Sequence, residues 1–219
     1  MLRELMIKLS WISPFVLFIG ILGIFFRWKT FGLFEWTISF FLLIFCIIDF
    51  CSRYILEWFN LESNLLLLSI YTVIEYLFLS ILYTQFFPTK GERKLQLIAI
   101  SGGILILITF FSKLAPLNVL MFQLYDGLIA NLFSLIFGLF FIYKILADGM
   151  ESTKQQRLLN SIIIMYSGIQ LFMALTINFM VNMDVELVFF FWLIRLIALS
   201  IFYLKLAQII WQTGKKVVQ

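Results

Sequence analysis

The sequence predicts an all-α, polytopic membrane protein: seven transmembrane helices forming a single domain over residues 1–219. Three observations predict it. The chain is 63% hydrophobic and 13% charged, whereas a soluble domain carries about a quarter charged residues. Seven apolar segments, approximately 11–27, 36–57, 64–86, 95–112, 118–144, 158–181 and 187–211, approach the roughly 20 helical residues that cross a bilayer core. The stretches between them, such as "NLES", "FPTKGERK" and "NMDVE", are short and polar, too short to hold a soluble domain.

Taken in order, span one follows Leu2, Leu5, Met6 and Leu9, which recur at helical spacing opposite Arg3 and Lys8. That pattern reads as an interfacial turn leading into the membrane. The residues after it, "FFRWKTFG", lack a small-residue cleavage site, so span one is read as retained. Span two carries Cys46 and Cys51. Five residues apart on one helix, they point to different faces and cannot meet disulfide geometry. Span three, "NLLLLSIYTVIEYLFLSILY", holds Glu75 near its middle. Span four is short and has no charge within it. Span five carries a seam of Gln123, Gly127, Asn131, Ser134 and Gly138 at helical spacing, with Asp126 beside it. Tyr166, Gln170 and Asn178 climb one side of span six, and span seven contains Arg195 and Lys205. Trp11, Trp28, Trp36, Trp58 and Trp211 fall at the ends of spans, as an interfacial aromatic belt requires.

Charge sets the expected orientation. With the N-terminus outside, the outer segments hold four Lys and Arg residues and the inner segments eleven. Positive charge favours the cytoplasmic side, so the expectation is N-out, C-in, in the plasma (inner) membrane of the cell. An internal echo joins spans three and seven: "IEYLFLSILY" (74–83) lies over "IRLIALSIFY" (194–203). Gly20 in span one similarly lies over Gly138 in span five. Both pairings join spans of the same direction, which fits two parallel three-helix units joined by span four, a 3+1+3 plan.

The echo sets Glu75 against Arg195. Each costs on the order of 3 kcal/mol to insert alone at mid-helix. Helix rise places them about 16 Å and 12 Å below the outer ends of their spans, within one turn in depth. The simplest reading is an ion pair inside the bundle, acting as a register lock or as part of a site. Asp126, Asp49, Arg53, Tyr71, Thr72, Asn131 and Gln170 lie at similar depth, so the candidate polar pocket comprises Glu75, Arg195, Asp126, Asp49, Arg53, Tyr71, Asn131 and Gln170. Asp49 and Arg53, at i and i+4, can instead pair with each other. Small residues also let helices approach, so the span-five seam has a packing reading as well.

Several chemistries are excluded. The chain has no His, which removes a histidine base, phosphoacceptor or metal ligand, and serine hydrolysis would lack its usual base. "DGLIAN" at 126–131 is similar to the opening of the CDP-alcohol phosphotransferase signature, but Asn131 stands where that family has Arg, and the further aspartates are missing. Lys205 invites comparison with retinal proteins; near the inner end of its span it is expected to snorkel instead. No catalytic set, cofactor site or metal site is found, and the expectation is that the chain is not an enzyme. Nucleic acid is not expected as a partner, since the net charge of +4 reflects the inner-loop bias.

With its aromatic-rich third span "LLLLSIYTVIEYLFLS", the chain resembles small seven-helix integral membrane proteins of bacteria. Its plan is similar to the membrane part of seven-helix bacterial sensor receptors, which share N-out, C-in topology but carry appended signalling modules. It is also similar to three-plus-one-plus-three sugar transporters of the PQ-loop type, whose Pro-Gln pair is absent here. These resemblances imply a sensor-like or accessory protein with an outward-facing polar pocket, relaying to a separate membrane or cytosolic partner. The alternative they imply is a small-solute or proton-coupled transporter. The lipid bilayer is the expected surround, and a homo-oligomer is compatible with either.

Overall fold

A computed structural model describes residue 9 and residues 11–58, 65–87, 89, 91–114, 125–180 and 185–213. The interfacial turn expected before span one lies outside the described residues. Among those described there are seven long helices: α1 Ile12–Arg27, α2 Leu33–Trp58, α3 Leu65–Ile81, α4 Arg93–Leu114, α5 Tyr125–Ala147, α6 Lys154–Met180 and α7 Val185–Gln212. All seven are long and apolar enough to cross a membrane, which makes this a multi-pass membrane protein.

The connections explain where the helices begin and end. α1 passes into a 3₁₀ turn, Trp28–Thr30, where the Thr30 hydroxyl donates to the Arg27 carbonyl at 2.8 Å. The Gly32 N–H then donates to Glu35 Oε2 at 2.9 Å, an acidic cap that starts α2 ahead of its apolar run. α3 leaves the α-helical ladder in a π turn, Leu82–Phe86. Phe87 is extended, as suits a residue preceding proline. α6 opens on a reciprocal capping box: Thr153 N–H donates to Gln156 Oε1 at 3.0 Å, and Gln156 N–H donates to Thr153 Oγ1 at 3.1 Å.

The chain divides into two compact units, one of residues 1–64 with 196–219 and one of residues 65–195. These boundaries do not coincide with two three-helix halves. In the first unit, α1 lies against the C-terminal part of α7. Gly23 sits there because a β-carbon would stand 2.8 Å from Trp211 Nε1. Trp211, expected in the interfacial belt, packs into this crossing instead, its indole N–H donating to the Ile19 carbonyl at 3.0 Å. Phe41 and Phe45 of α2 meet Phe202 and Tyr203, with ring centroids 6.3 and 5.9 Å apart. Trp11, Trp28 and Trp36 remain exposed near helix ends, as belt residues should.

In the second unit α5 packs against α3, α4 and α6. A ladder of rings joins α3 to α5: Tyr76 with Phe137 at 5.9 Å, Tyr83 with Phe137 at 5.6 Å, and Phe87 with Phe141 at 4.9 Å. The Tyr76 hydroxyl crosses to α4 and donates to the Ala99 carbonyl at 2.8 Å. Gly138 lets α5 and α6 approach, since a β-carbon there would press into Ile164. α4 is mostly uncovered, with Leu97, Ile100, Ile104, Ile108 and Phe111 exposed. Such side chains suit lipid.

Candidate functional site

The polar groups of the second unit gather at two levels. The lower level is a structural clasp. Tyr83 at the start of the π turn donates its hydroxyl to Asn160 Oδ1 of α6 at 2.5 Å, and Asn160 Nδ2 donates to the Gly138 carbonyl of α5 at 3.3 Å. Thr89 Oγ1 donates back to the Tyr83 carbonyl at 2.7 Å, and Gln156 Nε2 reaches the Phe86 carbonyl at 3.3 Å. The last two bonds end on carbonyls of the π turn, whose end leaves carbonyls without helical partners. At the adjoining helix ends, Lys144 binds Glu92 and Asp148, each at 2.6 Å. None of this clasp was singled out by sequence. Asn160, an amide near the start of the apolar span six, was the available signal.

The upper level contains Glu75. Measured from the Tyr83–Asn160 bond, Glu75 lies eight residues back along α3, about 12 Å. Tyr166 and Gln170 lie six and ten residues along α6, about 9 and 15 Å. The carboxylate therefore sits axially between them. It is 7% exposed, and the Tyr166 hydroxyl is its neighbour on α6. Arg195 acts electrostatically on both Glu75 and Tyr166, and Tyr71 on Tyr166. Among the described residues the direct salt bridges are those of Lys144. Glu75 and Arg195 thus interact through space, without the contact ion pair expected from sequence.

Among the described residues, half of the buried side-chain polar atoms without a hydrogen-bond partner lie here, the others being on Ser39, Ser80 and Ser152. Glu75 Oε1, Ser167 Oγ and Gln170 Nε2 are buried with no hydrogen-bond partner. Unpaired polar atoms in an apolar interior are costly, so three within two turns of helix single out this level.

The remaining expected site residues fall elsewhere. Asp126 is buried in the first turn of α5, where its carboxylate accepts the Gly127 N–H at 3.0 Å and faces the positive end of the helix dipole. Asn131 Nδ2 donates to the Gly127 carbonyl at 2.7 Å, and Ser134 Oγ to the Ala130 carbonyl at 2.8 Å. These two side chains of the span-five seam therefore bond along their own helix. Thr72 does the same, donating to the Leu68 carbonyl at 3.1 Å. Asp49 belongs to the first unit and is half-buried on α2, where its carbonyl accepts the Ser52 hydroxyl at 2.8 Å. The side chains of Arg53 and Asn178, and all of Gln123, lie outside the described residues. Lys205 is 7% exposed and donates to Gln208 Oε1 at 2.9 Å, so it does not snorkel into the open.

The seven apolar helices stand without a named group around them: no protein-family model matches the chain, and no curated protein or solved structure is significantly similar to it.

Proposed function

We propose that this is a sensor-like or accessory protein of the plasma membrane. In this reading a polar site centred on Glu75 takes up a small ligand from the outer side, and the state of that site is passed through the inner loops to a separate membrane or cytosolic partner. The observation that carries the reading is Glu75 Oε1, a buried carboxylate oxygen with no hydrogen-bond partner. A carboxylate at membrane depth costs on the order of 3 kcal/mol, which makes it a functional-site hypothesis by default. The clasp supports the relay. It ties α3, α5 and α6 just below the site, so a shift at Tyr166 has a short route to the loops at 87–93 and 148–153. N-out, C-in topology puts those loops in the cytosol.

A second reading, a small-solute or proton-coupled transporter, is favoured by the 74–83 and 194–203 echo that sets Glu75 against Arg195. There Glu75, Asp126 and Arg195 line a path. Gentle native purification followed by mass spectrometry decides between the two. A stoichiometric co-purifying partner is expected for the accessory reading. A protein that comes alone, and moves solute into liposomes in a manner lost on Glu75→Gln, overturns it in favour of transport.

A further inference from the structure

We infer that the Glu75 level binds a small zwitterion, a molecule bearing an ammonium and a carboxylate close together; this deepens the site reading above and rests on it. The argument begins with complementary vacancies in hydrogen bonding. Glu75 offers an acceptor, Oε1, and Gln170 offers a donor, Nε2; both residues are more than nine-tenths buried, and both atoms lack a partner. Arg195 supplies a cationic fork, and among the described residues no hydrogen bond or salt bridge engages it, although it acts electrostatically on Glu75 and Tyr166.

Net charge then selects the ligand class. Glu75 and Arg195 compensate each other at a distance. A simple cation between them would leave an excess positive charge in a low-dielectric interior, and a simple anion an excess negative one, each unfavourable there. A zwitterion leaves the sum at zero and satisfies both ends: its ammonium donates to Glu75 Oε1, and its carboxylate accepts from Arg195 and from Gln170 Nε2.

The test uses the full chain purified in detergent and the twenty proteinogenic L-α-amino acids added singly, with ethylamine and acetate as half-ligands. Ligand binding to the folded state raises the melting temperature. The expected result is that at least one amino acid raises it, that neither half-ligand does, and that the Kd measured by titration calorimetry weakens at least tenfold in Glu75→Gln and in Gln170→Leu. Gln170→Leu removes no charge, so it serves if Glu75→Gln fails to fold. No rise with any amino acid, an equal rise with ethylamine or acetate, or a Kd unchanged in either folded variant overturns the zwitterion. A co-purifying partner found alongside a negative binding result overturns only the ligand class and leaves the accessory reading standing. Absence of both partner and binding removes both.

Discussion

Replacing Tyr83 by Phe deletes one oxygen and leaves Asn160 Oδ1 buried without its donor. The expected cost is about 1–3 kcal/mol, read as a lower midpoint in unfolding titrations in mixed micelles. Asn160→Leu removes the other half of the bond, and its combination with Tyr83→Phe should cost less than the sum of the two, because each single variant already breaks the same contact. At Glu75 the geometry predicts a weaker coupling than a buried salt bridge gives. A double-mutant cycle of Glu75→Gln with Arg195→Leu should return about 1 kcal/mol, below the roughly 3–5 kcal/mol typical of breaking a contact pair. A value in the upper range would mean that the two side chains touch. The sequence flagged Glu75, Arg195, Tyr71 and Gln170 because polar residues in apolar spans are conspicuous. It did not rank Tyr166 as the neighbour of Glu75, since which of several tyrosines comes near a carboxylate depends on helix rotation. Asn131 was no less conspicuous, but its amide bonds to the Gly127 carbonyl of its own helix.

Helix crossings are controlled by single small residues. Gly138→Ala should force α5 and α6 apart at Ile164 and cost about 1–3 kcal/mol, as overpacking does. Adding Ile164→Ala should make the pair less damaging than the sum of the singles, measured by the same unfolding midpoint. At the α1–α7 crossing, Trp211→Phe loses the bond to the Ile19 carbonyl, worth about 1 kcal/mol. Its midpoint should fall by correspondingly less than that of Gly138→Ala. The start of span five, expected at 118, falls among residues 115–124 outside the described residues; the other helix limits were legible to about a turn, and the misses have local causes. α6 begins at Lys154 rather than 158 because the Thr153–Gln156 box adds a polar turn ahead of the apolar run. α2 begins at Leu33 rather than 36 for a like reason, the Glu35 side chain closing over Gly32. Apolar periodicity is blind to both, because these turns are built from polar caps. The π turn at Leu82–Phe86 carried no sequence signal at all.

For the whole molecule, the sequence predicted seven spans because the hydrophobic runs are long and few charges interrupt them. It did not reveal which helices pack together. Helices apolar all round give little sign of a facing stripe, and the pairings rest on particular fits, such as Gly23 with Trp211 and Gly138 with Ile164. Orientation is exposed to direct measurement. In a chain whose Cys46 and Cys51 are replaced by Ser, Glu151→Cys should react with a membrane-impermeant maleimide only after the cells are opened. Reaction in intact cells would reverse the N-out, C-in assignment.

The first unit is assembled from two pieces of chain, residues 1–64 and 196–219, with the whole of the second unit between them in sequence. On the ribosome the second unit is therefore available as one continuous stretch, while α1 and α2 are made first and completed last. At about 5–20 residues per second the wait is on the order of 10 s. Through that interval the glycine face of α1 has no Trp211 or Ala207 to meet. Insertion factors or lipid must shelter it until α7 is made, and slowing translation within residues 65–195 should lengthen the period in which the nascent protein is open to proteolysis.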